Sequence, residues 1–123
     1  MQAAVNSYRD LLVWQASMDL AVICYASTKD FPKAEVYGMT SQIRRASTSV
    51  AANIAEGYGR ENTGSYSQFL RIAQGSLKEL ETLVILSQRV GLMTDGATSR
   101  LLVQSDEVGK MLRSLIRRLQ VKS

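Results

Sequence analysis

The chain has 123 residues, room for one domain (1–123), and its 46% hydrophobic and 21% charged content supports a folded core and excludes a disordered chain. Fifteen Lys+Arg against eleven Asp+Glu leave a formal charge of +4, a balance that permits an anionic partner without requiring one. There is no His and a single Cys, Cys24; Ser–His and Cys–His nucleophiles, the helical Glu-x-x-His di-metal site and clustered zinc ligands are thereby excluded.

Residues 8–29 read as the first helix, with Leu11, Trp14, Met18, Ala21 and Tyr25 on one face. Phe31-Pro32 ends it, because the residue before a proline avoids the helical region. The second helix spans 35–57, where Met39, Ile43, Ala46, Val50, Asn53 and Gly57 recur at alternating steps of four and three. Gly57 and Gly59 supply its stop through the left-handed conformation that glycine tolerates. Ser65 with Gln68 reads as a capping box opening the third helix, 65–90. Its stripe is Tyr66, Leu70, Ala73, Leu77, Leu80 and Val84, widened by Phe69, Ile72, Leu83 and Leu86, and Gly91 closes it. Thr94-Asp95 caps the fourth, 95–120, with Leu101, Ser105, Val108, Leu112, Leu115 and Leu119 on its face. No strand pattern occurs. Short turns between long helices predict an all-α fold, an antiparallel up-down-up-down four-helix bundle.

The run Ala46–Ala55 holds ten residues without a charge, whereas an outer helix face normally carries Lys, Glu and Arg. Opposite the stripe stand Ser41, Thr48, Ala52 and Ala55, small enough to let a second backbone approach. This face is expected to be a subunit interface of a homo-oligomer; the alternative is a smooth helix covered by a turn of the same chain. Asn53, on the stripe itself, is expected to bond a neighbouring helix or terminal carbonyls, and Glu56 to pair with Arg60 or Arg45. Gly75, in mid-helix with Ser76, weakens the helix by about 1 kcal/mol, and close helix contact is its expected reason.

No carboxylate pair shares a face: Glu79 and Glu81 diverge, as do Asp106 and Glu107. Cys24 lies among apolar neighbours that raise a thiol pKa, and Gly57-x-Gly59 follows a helix, unlike a phosphate-cradling loop. The expectation is a chain that is not an enzyme and uses no cofactor or metal. Neither a signal peptide nor a membrane span is apparent, and one Cys suits a reducing compartment; the expected location is cytoplasmic, away from membranes. From Lys110 onward stand Lys110, Arg113, Arg117, Arg118 and Lys122 with no acid, a basic ridge on the last helix, and Arg44 and Arg45 form a second basic point. These seven residues are the candidate contacts to the phosphates of RNA or another nucleic acid; nothing in the chain resembles a base-reading module.

Five segments carry a family resemblance: Trp14-Gln15; Phe31-Pro32 with Glu35 and Tyr37-Gly38-Met39; Gln42-Ile43-Arg44-Arg45-Ala46; the run Asn53-Ile54-Ala55-Glu56-Gly57-Tyr58-Gly59-Arg60; and Phe69-Leu70-x-Ile72-Ala73-x-Gly75-Ser76-Leu77-x-Glu79-Leu80-Glu81. Together, from about Tyr8 to Gly91, they resemble the bacterial 23S rRNA intervening-sequence proteins, a family without an established biochemical role. The resemblance implies a small all-α subunit that assembles into a homopentamer, and it supplies no catalytic residue. The function expected is a non-catalytic, pentameric protein that binds RNA or another nucleic acid through the phosphate backbone. A scaffold that holds a protein partner without binding nucleic acid is the alternative.

Overall fold

Leu11 is in extended conformation (φ −71°, ψ 124°), and this single residue separates a short 3-10 turn, Tyr8–Asp10, from the first long helix. The turn closes on itself: Ser7 Oγ accepts from the Arg9 N–H at 3.1 Å, and Asp10 Oδ2 accepts from the Ser7 N–H at 3.2 Å. The computed structural model describes residues 4–122, the side chain of Lys122 excepted. Within them lie four helices, α1 (Leu12–Thr28), α2 (Met39–Tyr58), α3 (Thr63–Arg89) and α4 (Asp95–Lys122), and no strand.

Several expected boundaries move. The first helix starts at Leu12 rather than at residue 8, and the second at Met39 rather than at 35, after a 3-10 turn over Lys33–Glu35. Glu35 Oε1 takes the Met39 N–H at 3.2 Å and so replaces a conventional cap. The third helix starts two residues early. Its cap is Asn62, whose Oδ1 accepts from the Ser65 N–H at 2.7 Å, so the expected capping box at Ser65 does not open it. At Thr94 the expectation holds: its hydroxyl accepts from the Ala97 N–H at 3.2 Å.

Glycine 91 is the one described residue with positive φ (83°). It completes a Schellman turn, in which Leu92 N–H reaches Ser87 O at 2.8 Å and Gly91 N–H reaches Gln88 O at 3.1 Å. Gly57 and Gly59 are not left-handed, contrary to the expectation. Gly57 is a buried position inside α2, and a Cβ there would stand 2.8 Å from Phe69 Cβ and 3.3 Å from Tyr66 O. Its missing side chain sets the close approach of α2 and α3 instead.

Contacts across the interfaces fix the direction of the helices. Thr28 meets Arg44 and Cys24 meets Ser47; Gly57 meets Phe69 and Ser49 meets Ser76; Leu77 meets Gly109 and Glu81 meets Ser105. In each pair of helices one number rises as the other falls, so α1/α2, α2/α3 and α3/α4 are antiparallel. Packing of α4 against α1 closes the ring. The core runs down its middle through Leu20, Ile43, Val50, Ile54, Leu70, Leu77, Leu80, Leu101, Val108 and Leu112, all fully buried.

The expected central stripes of α3 and α4 face inward, but Ile72 and Leu86, expected to widen the α3 face, are exposed. In α1 the face differs: Val13, Ser17, Leu20, Cys24 and Thr28 turn inward, while Met18 and Tyr25 are exposed. This helix is apolar nearly all round, so its apolar residues do not select a face, and two of its inward residues are polar. Each hydroxyl is satisfied one turn back, Ser17 on Val13 O at 2.7 Å and Thr28 on Cys24 O at 2.9 Å, and can therefore be buried. Asn53 likewise stays on its own helix, donating to Ser49 O at 2.8 Å rather than to a neighbouring one, and it is half-buried.

Candidate functional site

The basic residues of α4 divide by environment. Lys110 Nζ lies 3.5 Å from Asp106 Oδ2 and 3.9 Å from Glu107 Oε1, so the first cation of the ridge is neutralised on its own helix. Asp106, four residues before Lys110, was the legible sign of this pairing. Arg113, Arg117 and Arg118 are exposed and carry no ion pair among the described residues. Arg113 lies in the groove towards α3, with Nη1 3.6 Å from the point a Cβ on Gly109 would occupy. Arg118 lies in a cavity of about 270 Å³ towards α1, floored by Leu11, Val13, Met111 and Leu115. The side chain of Lys122 falls outside the described residues.

Arg44 and Arg45 do not join this ridge. They stand beside the C-terminus of α1, whereas Arg118 stands beside its N-terminus, and the 17 residues of α1 put about 25 Å between them. Arg44 is also committed within the chain. Its Nε donates to Thr28 Oγ1 at 3.0 Å, Nη2 donates to Tyr25 O at 3.4 Å, and its guanidinium lies 4.6 Å over the Tyr25 ring. It thereby caps the carbonyl end of α1. Arg45 is exposed, without an ion pair among the described residues.

The outer face of α2 borders a concavity of about 530 Å³ between α1 and α2. Ser41, Thr48 and Ala52 line it together with Tyr25, Val36, Arg44 and Arg45; Ala55 sits outside it, half-buried. No carboxylate is among its lining residues.

Several acidic groups are held by neighbours. Glu56 pairs with Arg60 at 3.0 Å, as expected, and Glu81 accepts from Lys78 at 3.1 Å and from the Ser105 hydroxyl on α4. Burial pushes the Cys24 thiol up to about 12, against a smaller lowering by its hydrogen bond with Ser47, which keeps it protonated and unreactive near neutral pH. Burial also raises Tyr66, with Tyr58 adding to the shift and Arg118 opposing it. Among the described residues no three Cys, Asp or Glu side chains gather as a metal site, and no helix is long and apolar enough to cross a membrane.

These features define an all-α four-helix protein with arginines on its last helix that have no ion pair among the described residues, and a hydroxyl-lined outer face on its second. The model of the 23S rRNA-intervening sequence protein family matches residues 9–114, and the chain belongs to that family. The match extends into α4 as far as Ser114, beyond the segments Trp14 to Glu81 that carry the resemblance. A crystal structure of a protein of unknown function from the S23 ribosomal protein family, from Bacteroides thetaiotaomicron, has the same fold: TM-score 0.77 at 27% identity, covering 85% of this chain and 98% of that one. No curated protein matches.

Proposed function

We propose that this chain is the non-catalytic subunit of a homo-oligomer, pentameric as its family resemblance implies, that binds RNA through the phosphate backbone. The observation that carries the binding is the set Arg113, Arg117 and Arg118, exposed on the last turns of α4 with no carboxylate among the described residues neutralising them. Repeated around a closed assembly, three such cations per subunit build a positive field far stronger than the +4 of one chain. Arg45 adds a second contact at the opposite end, while Arg44 and Lys110 contribute less because each already has partners. Contacts of this kind position a nucleic acid and read no bases.

The test is binding of a fluorescein-labelled RNA stem-loop over a KCl series. Affinity should fall steeply with salt, and the double variant Arg113→Glu, Arg117→Glu should lower it by at least about a hundredfold at low salt. Absence of any RNA affinity at low salt overturns the reading. A second reading, a scaffold for a protein partner, rests on the apolar residues that α1 and α3 leave exposed, such as Leu12, Val22, Ile72 and Leu86. That reading requires the same oligomer and is indifferent to the arginines.

A further inference from the structure

Gly75 stands in the middle of α3, where a glycine weakens a helix, and beyond its chain neighbours and its own helix backbone no atom lies within 4 Å of the position its Cβ would take. Close contact inside the chain, the reason expected for it, is therefore absent. Gly57 provides the contrast, since its own position would put a Cβ 2.8 Å from Phe69. What Gly75 keeps open is space outside the subunit. That space is a groove of about 300 Å³ between α3 and α4, lined by Gly75, Leu77 and Gly109, with Gln74 and Lys78 on one wall and Arg113 on the other.

Its chemistry selects the occupant. The two charged residues lining it are both cations, on opposite walls, and the remaining polar side chain is an amide. Lys78 donates to Glu81 and has two further ammonium hydrogens, on a side chain that is 71% exposed. Arg113 lies close over Gly109, on the groove side of α4. No aromatic ring lines the groove to stack a base. A narrow, flexible polyanion fits this arrangement, whereas an apolar helix leaves Arg113 without a counter-charge, Lys78 already having Glu81 beside it.

We infer that this groove seats the phosphodiester backbone of an RNA strand, with Arg113 and Lys78 on phosphate oxygens, Gln74 hydrogen-bonding the strand, and Gly75 left bare so that it comes within reach. The inference rests on the RNA-binding reading above and adds three residues of α3 to it.

The discriminating variant is Gly75→Gln, which restores a good helix former and fills the groove without changing charge. Melting temperature, mass by light scattering and affinity for the same RNA stem-loop are measured beside the unaltered protein. The expected result is a melting temperature raised by about 2–5 °C, an unchanged mass and an affinity at least about tenfold lower. Lys78→Gln, a mild exposed change that should fold without difficulty, should weaken binding and reduce the salt slope by about one. RNA affinity retained in both variants overturns the inference. So does a fall in mass with Gly75→Gln, which assigns the groove to a second copy of the chain. If the unaltered protein binds no RNA, the broader reading fails and this one with it; if it binds and both variants bind equally, this one fails alone.

Discussion

Gly57 and Gly75 sit eighteen positions apart on neighbouring helices and owe their lack of a side chain to opposite circumstances. At Gly57 the space is already filled by Phe69 Cβ and the Tyr66 carbonyl, neither of them the free end of a flexible chain. Gly57→Ala gains about 1 kcal/mol of helix propensity and meets an overpacking term of about 1–3 kcal/mol. The second term dominates because α2 and α3 share the most extensive helix contact in the molecule. Urea unfolding of Gly57→Ala should show a net loss of up to about 2 kcal/mol, and a variant more stable than the parent counts against the close approach. Both glycines stand out in the sequence. Their reasons do not, since these depend on what the neighbouring helix presents at each height. Asn53 departs from its expected partner for a related reason: its amide bonds one turn back on its own helix, a choice that periodicity does not encode.

Helix ends were more legible than helix faces where the capping chemistry is local. Thr94 and Gly91 act within one turn of themselves, and the sequence alone identifies both. At the start of α3 two candidates compete, Asn62 and Ser65, and the amide wins because Oδ1 reaches the Ser65 N–H at 2.7 Å. Asn62→Ala should therefore lower stability by about 1 kcal/mol, and Ser65→Ala by much less; equal losses in thermal melts contradict this assignment. Faces were legible in α3 and α4, whose polar and apolar residues segregate. They were illegible in α1, where Ser17 and Thr28 are buried and Val22 is 66% exposed. The arginines of α4 were visible as a ridge, yet the neutralisation of Lys110 required counting back to Asp106.

The assembled bundle leaves a hydroxyl-lined face of α2, without a carboxylate, open beside Tyr25, Val36, Arg44 and Arg45. A face of that kind is compatible with close approach by another subunit, and a charge placed on it should be intolerable at an interface and harmless on a free surface. Ala52→Glu is the direct test, because Ala52 is exposed in the single chain and the change leaves its core untouched. Light scattering should give a mass near five chains for the parent and a smaller species for Ala52→Glu, with the helical circular dichroism of each subunit retained. A parent that is monomeric at micromolar concentration refutes the oligomer. If the oligomer concentrates the arginine field, RNA affinity of Ala52→Glu should fall along with the mass, most strongly at low salt.

The sequence by itself determined that this chain is four helices in order, which sides of α3 and α4 face inward, and to which family it belongs. Those properties follow from local periodicity, local caps and contiguous motifs. The inward face of α1, the commitment of Arg44 to the carbonyl end of α1, the separation of Arg45 from the α4 arginines and the emptiness around Gly75 were decided only by the tertiary structure. Each depends on which surface of a neighbouring helix arrives at a given height, a relation between residues far apart in the chain that no single-helix period encodes.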